Sequence, residues 1–341
     1  MVSPRYMVLA AMPGCGPDQR VSGASGVFSR LAALCVAGWM CAAPAHAAFT
    51  LEELMSGSNE IVVGNSESIW REIFGNYDYN VDQQTGQGQS DIVGTATDPG
   101  FYTAYDDGGT AGSTGDDYIA FRIRTNDQNG NKDYYGGYLW VGIDADGDND
   151  IDAYINYTAS NSSTTVSIYG PGAGLNNSPS TSTVTAPNNT AAYVWTNPTG
   201  YDQSNYRAVD TLIDGGTTTN AGSPDDTSVD WYVTFQLPFA SLINFLNDEG
   251  EMGVGNTISG VDDTTPLRFI VASSTQANSL NQDIGGIDGN DPNYDPNLTW
   301  DQQPGSPLSQ PFNGTGLVPE PSSSLLLILG GLGLLLRRRR A

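Results

Sequence analysis

Short runs in which apolar and polar side chains alternate constrain the fold of this chain more than any other feature. In one run, Ile119, Phe121 and Ile123 alternate with Arg122 and Arg124, so one strand face is apolar and the other is charged. The further runs are residues 101–105, 138–143, 151–157, 165–169, 191–195, 206–213, 230–237 and 267–272. About ten such strands separated by Gly, Asn and Asp turns predict an all-β fold, a jelly-roll or immunoglobulin-like β-sandwich with few short helices. One short helix is expected at residues 238–246, after a strand.

The N-terminal residues form a pattern typical of secretory signals. An apolar run at residues 31–43 follows Arg30, and Pro44 separates it from Ala45-His46-Ala47. The run has the length of a signal-peptide core and is too short to span a bilayer, and small residues at Ala45 and Ala47 suit signal peptidase. We therefore predict a signal peptide within residues 1–47, cleaved after Ala47, with residues 1–26 as an extension before a start near Val27.

Removal of this signal peptide would also remove every cysteine and the only histidine. These residues are Cys15, Cys35, Cys41 and His46. Disulfides, thiol nucleophiles, Ser-His-Asp triads and the usual zinc or copper sites all need thiolate or imidazole groups. The mature chain is left with carboxylates, hydroxyls, tyrosines and a few arginines for any chemistry.

The charge of the chain is strongly negative. There are 38 acidic and 13 basic residues, a formal net charge of −25, and seven of the basic residues lie in the two terminal segments. Such a surface repels nucleic acid and anionic lipid, so we expect no nucleic-acid partner. The same charge has two interpretations of equal weight: a specific role for bound cations, or simple solubility in a salty extracellular medium.

A short apolar segment followed by arginines lies near the C-terminus. The segment covers residues 322–336, and the basic cluster after it is Arg337, Arg338, Arg339 and Arg340. At about 1.5 Å per residue it reaches about 22 Å, less than the roughly 30 Å of bilayer hydrocarbon. The arginines place everything before the segment outside the cytoplasm. We therefore predict a temporary inner-membrane anchor.

Pro319, Glu320 and Pro321 stand immediately before this segment. Together with the apolar segment and the arginine cluster, they resemble the PEP-CTERM sorting signal of exosortase substrates. The resemblance covers residues 318–341 and implies that the tripeptide is recognised by an exosortase, which removes the helix and the basic tail. It also implies a Gram-negative bacterium that makes exopolysaccharide, and thus a cell-surface or biofilm-matrix setting. The alternative is a plain membrane anchor after a chance Pro-Glu-Pro.

Five aspartates at alternate positions form the densest group of candidate ligands. They are Asp144, Asp146, Asp148, Asp150 and Asp152. Calcium takes six to eight oxygen ligands, and Gly147 permits a sharp turn among them. An EF-hand is excluded because its sixth position would be Asn149 and its twelfth Ile155. The spacing predicts a calcium site between two strands, and the alternative is a solvated acidic turn.

The predicted domains are an extracellular β-sandwich at residues 48–285, a Pro- and Asp-rich linker at residues 286–317 and the sorting signal after it. The order of Arg-x-Arg strand, aspartate loop and Trp231 strand resembles DOMON-like sugar-binding sandwiches over residues 90–275. Arg122 and Arg124 are expected to pair with carboxylates, the alternative being a grip on an anionic sugar.

Three functions remain open at this point. The first is a noncatalytic, calcium-stabilised surface or matrix module that binds polysaccharide or protein. The second is a structural or adhesive protein assembled through calcium. The third is a glycoside hydrolase that uses two aspartates, although no pair is marked in the sequence. We predict the first and expect no enzymatic activity.

Overall fold

The computed structural model describes residues 71–72, 87–94, 100–106, 114–184, 191–196, 204–208, 230–248, 258–287, 292–305, 307–313 and 316–317. The predicted signal peptide and the sorting signal, including Pro319, Glu320, Pro321 and the four arginines, lie outside these residues. Within the described residues, no helix is long and apolar enough to cross a membrane.

Strands dominate the secondary structure. They are β1 (Arg71–Glu72), β2 (Phe101–Asp106), β3 (Tyr118–Thr125), β4 (Tyr138–Asp144), β5 (Ala153–Ser160), β6 (Ser163–Tyr169), β7 (Tyr193–Thr196), β8 (Ser204–Ala208), β9 (Trp231–Pro238), β10 (Arg268–Ser274), β11 (Asp283–Ile284), β12 (Phe312–Asn313) and β13 (Gly316–Leu317). One α-helix, α1, covers Phe239–Asn247, and a short 3-10 helix covers Gly88–Ser90.

The strands form two main antiparallel sheets. The five-stranded sheet has the order β1-β2-β3-β9-β8, and the six-stranded sheet has the order β11-β10-β4-β5-β6-β7. The strands β12 and β13 make a separate antiparallel pair. The predicted all-β class is therefore confirmed, with one α-helix in the part of the chain that the structure describes.

The two main sheets face each other across one apolar core. Phe121 on β3 meets Phe269 on β10 with ring centroids 5.4 Å apart, and Tyr157 on β5 stacks on Phe235 of β9 at 5.2 Å. All four side chains are buried. Because burial of one large apolar side chain stabilises by about 1.5–3 kcal/mol, the alternation in these strands determines which face of each sheet points inward.

The opposite face of β3 carries its two arginines, and both are buried. Arg124 forms an ion pair with Asp230, and neither side chain is exposed. Arg122 donates a hydrogen bond from Nε to Thr234 Oγ1 at 3.3 Å and lies over the Tyr232 ring at 5.5 Å. The expected pairing with a carboxylate is thus confirmed for Arg124.

The helix α1 follows β9 as the sequence predicts. Pro238 precedes it with a φ of −61°, a value that suits the start of a helix. Phe239, Leu242, Phe245 and Leu246 are its buried residues and lie on one side at helical spacing. The helix therefore packs as a core element.

The segment predicted to be a linker differs in the structure. Trp300 is fully buried, and it joins an apolar cluster with Trp140, Tyr154 and Ile270 on the outer face of the six-stranded sheet. Its indole nitrogen donates to the carbonyl of Asn176 at 2.9 Å. The β-domain therefore continues past the predicted boundary at residue 285. A few large apolar residues, spaced among the prolines and aspartates, are enough to hold the segment on the sheet.

Candidate metal site

The aspartate loop joins two neighbouring strands of the six-stranded sheet. Ile143 of β4 pairs with Ala153 of β5, and the Asp152 amide donates to the Ile143 carbonyl at 2.7 Å. The loop therefore starts and ends at adjacent positions. Strand pairing alone brings Asp144 and Asp152 side by side, although eight positions separate them in the sequence.

Two residues with positive φ turn the chain within the loop. Gly147 has a φ of 81° and Asn149 a φ of 72°. Glycine adopts this left-handed conformation without a steric cost, and asparagine tolerates it better than most residues. The turn lies between the two buried ends of the loop, Asp144 and Asp152.

Three of the five predicted ligands converge. Asp144, Asp146 and Asp152 each offer a carboxylate oxygen, and these oxygens all lie within 4.8 Å of one another. Asp144 and Asp152 are buried, whereas Asp146 is exposed. Asp148 and Asp150 do not belong to this group, and the Asp150 amide donates to Asp148 Oδ1 at 2.9 Å on the exposed side.

Backbone amides hold the converging carboxylates. Asp144 accepts hydrogen bonds from the Gly147 amide at 2.7 Å and the Asn149 amide at 3.2 Å. Asp152 accepts one from the Ala145 amide at 2.8 Å. All three amides belong to the loop, so the backbone of the loop itself orients both carboxylates.

Burial makes the negative charge of these carboxylates unfavourable. Burial and, after it, the nearby carboxylates of Asp146 and Asp144 raise the pKa of Asp152 to about 8, although the bond from the Ala145 amide lowers it. Burial also raises the pKa of Asp144 to about 6, although the amides of Gly147 and Asn149 and the charge of Arg268 lower it. Both groups would be more stable as anions beside an added cation.

Arg268 is the site residue that the sequence did not indicate. It opens β10, where its backbone pairs with Asp144. Its Nη1 lies 2.6 Å from Asn149 Oδ1 and 3.8 Å from Asp144 Oδ2. Local sequence patterns do not predict this contact, because Arg268 follows Asn149 by 119 residues. The pairing of β10 with β4 brings the two residues together.

The donor set of the loop suits a hard cation. Three carboxylates supply oxygen ligands of the kind that calcium prefers, and the exposed side leaves room for water. Asp144, Asp146 and Asp152 would hold the ion, and Asp148 and Asp150 would add negative charge around it. Nitrogen and sulfur donors are absent from this group, which disfavours zinc and copper.

Fold and site together define a protein of two facing antiparallel sheets with an acidic loop between adjacent strands. No protein-family model matches the chain, and no curated protein or solved structure matches it either.

Proposed function

We propose that this chain is an exported, noncatalytic cell-surface or exopolysaccharide-matrix protein, a β-sandwich stabilised by calcium in its aspartate loop. One observation carries the calcium part: three carboxylates converge, and two of them are buried. Sorting is supported by the C-terminal sequence, in which Pro-Glu-Pro, an apolar segment and four arginines follow one another.

Calcium is favoured over a solvated acidic turn on electrostatic grounds. Asp144 and Asp152 are removed from water, so each carries a desolvation cost that an exposed aspartate avoids. A divalent cation between them turns their mutual repulsion into attraction. Since only the folded chain holds the carboxylates together, binding stabilises that state by about 2.7 kcal/mol at 100 times the dissociation constant.

Thermal melting in chelator and in millimolar calcium tests the calcium part. We expect calcium to raise the melting temperature by roughly 5–10 °C, and magnesium, which needs stricter octahedral geometry, to raise it less. Equal melting in chelator and calcium would show that the loop is only an acidic turn.

The sorting part is tested by replacing Pro319, Glu320 and Pro321 with alanine in the producing bacterium. The altered chain should accumulate in the inner membrane with its tail uncut, as should the unaltered chain in cells without exosortase. Alanine replacements at Ser322, Ser323 and Ser324 are the matched control and should leave processing unchanged. Normal processing of the altered chain would show that the tripeptide is not the recognition element, whereas an uncut tail in the unaltered chain would indicate a plain membrane anchor.

Polysaccharide or a neighbouring protein is the proposed partner of the folded domain. A glycan array with calcium and with chelator tests the first of these. Calcium-dependent self-association without glycan binding would favour the structural or adhesive alternative. Release of reducing sugar would favour a carboxylate-based glycoside hydrolase instead.

A further inference from the structure

We propose that Arg268 is a positioning residue that couples the aspartate loop to the C-terminal segment, residues 307–313, so that an ordered loop holds this segment more tightly. The role of calcium in this coupling rests on the proposed function, whereas the coupling itself rests on contacts between parts of the chain.

The Arg268 side chain touches both regions. Its Nη1 donates to Asn149 Oδ1 in the loop at 2.6 Å and lies 3.8 Å from Asp144 Oδ2. Its Nε donates to the Ser309 carbonyl in the C-terminal segment at 3.3 Å. Thus one guanidinium group connects the loop to the segment.

The backbone on either side of Arg268 holds the same segment. Phe269 donates its amide to Ser309 Oγ at 2.8 Å, and the Ser309 amide donates to the Phe269 carbonyl at 2.8 Å. Leu267 and Phe312 exchange two backbone bonds of 2.6 and 2.8 Å. Phe312 is buried in the main core. The segment is therefore attached to β10 at the residues on both sides of Arg268.

A guanidinium group suits this role because it is planar and its donors have fixed directions. When Asn149 and Asp144 fix one edge of the plane, the donor that faces Ser309 is fixed as well. The entropy lost by ordering the arginine side chain is then shared between two contacts, so each contact favours the other.

Asn149→Gly tests the coupling without any metal. This variant removes the acceptor of Arg268 but keeps a residue suited to the φ of 72°. We expect the amides of Ser309 and Phe312 to exchange hydrogen about 3–10-fold faster, as for loss of one hydrogen bond. Asn131→Gly, in an exposed turn, is the matched control and should leave both amides unchanged. Unchanged exchange at Ser309 and Phe312 in Asn149→Gly would overturn the proposal.

Arg268→Met and Arg268→Lys test whether the arginine transmits the effect of calcium. In the unaltered chain, calcium should slow exchange in the loop and at Ser309 and Phe312. In Arg268→Met it should slow exchange in the loop alone, and Arg268→Lys should not restore the effect, because an ammonium lacks the planar fork. Unchanged exchange in β3 shows that each variant is folded.

The two proposals fail in different ways. If calcium slows exchange nowhere in the unaltered chain, the calcium part of the proposed function is wrong, and Asn149→Gly still decides the coupling. If calcium slows exchange at Ser309 equally in the unaltered chain and in Arg268→Met, Arg268 is not the link.

Discussion

Two of the regions that bury aspartates in this protein balance the charge differently. Asp230 lies against Arg124, and neither side chain is exposed. Asp152 is also buried, in the aspartate loop, and its pKa is raised by burial and by the nearby carboxylates. The first region carries its own cation on the neighbouring strand. In the second region, Arg268 lies 3.8 Å from Asp144, yet the pKa values of Asp144 and Asp152 both stay raised.

This difference separates a fixed element of the fold from one that responds to the medium. An ion pair within the chain forms whenever the chain folds, so its contribution depends little on added ions. A group of buried carboxylates depends on protons or cations from solution. The following experiments test this contrast, from the largest expected effect to the smallest.

Arg124→Met should cause the largest loss of stability. It leaves Asp230 buried without its cation, which costs about 3–5 kcal/mol for a broken buried ion pair. The melting temperature should fall by roughly 10 °C, with or without calcium. Lys132→Met, at an exposed position, is the control and should melt normally. If Arg124→Met does not fold, the double variant Arg124→Met/Asp230→Leu should restore folding, and its failure would contradict the comparison.

Unlike the Arg124–Asp230 ion pair, the aspartate loop should make melting in chelator depend on pH. The pKa of Asp152 is raised to about 8 and that of Asp144 to about 6, so the folded chain binds protons more tightly than the unfolded chain. The stability that these two groups contribute is therefore greatest at acidic pH and is lost as the pH rises from about 4 to about 8. We expect the melting temperature to fall by roughly 5–10 °C between about pH 5 and pH 8.

Calcium in excess should remove most of this fall, because it stabilises the ionised carboxylates. The measurement is a set of melting curves at each pH, with chelator and with calcium. A fall of the same size under both conditions would mean that groups outside the loop cause it.

Asp152→Asn should stabilise the chain in chelator at about pH 8, which is unusual for a change at a buried polar residue. It removes a buried charge that the chain does not balance, and a gain of about 2 kcal/mol is expected from the raised pKa. The stabilisation by calcium should shrink in the same variant. Asp133→Asn, at an exposed position, should alter neither value. Destabilisation by Asp152→Asn in chelator would show that its carboxylate is already well compensated.

Gly147→Ala should have the smallest effect on folding, about 1 kcal/mol, because its φ of 81° is unfavourable for alanine. Gly130→Ala is a matched control with a φ of 54°, and an added Cβ meets no atom within 4 Å at either position. Both variants should lose similar stability in chelator. Only Gly147→Ala should also weaken calcium binding, measured by calorimetry, and equal affinities would place the metal elsewhere.

The sheets and part of the site follow from local sequence patterns. Alternation of Ile119, Phe121 and Ile123 predicts the inner face of β3, since period two is a property of any half-buried strand. The aspartate spacing predicts a loop between strands. Which three aspartates converge depends on the left-handed turns at Gly147 and Asn149, and spacing alone does not determine such turns.

Long-range contacts account for what the sequence did not predict. Arg268 reaches the loop because β10 pairs with β4, and no local pattern records this pairing. The prolines and aspartates around Trp300 predict a linker, yet its burial with Trp140 in one apolar cluster holds the segment on the sheet. The overall composition of the segment predicts a linker, whereas the burial of one large side chain is enough to hold the segment on the sheet.

The burial of Phe312 limits how much free chain separates the folded domain from the proposed sorting tripeptide. Pro319 follows Phe312 by seven residues, which span at most about 25 Å when fully extended and less while β13 stays paired with β12. A membrane-embedded enzyme that binds the tripeptide would therefore act while the folded domain lies close to the lipid headgroups. Under the proposed function, Phe312, the last buried residue among those that the structure describes, then sets the distance between the domain and the membrane, and a longer connection would require Phe312 to leave the core.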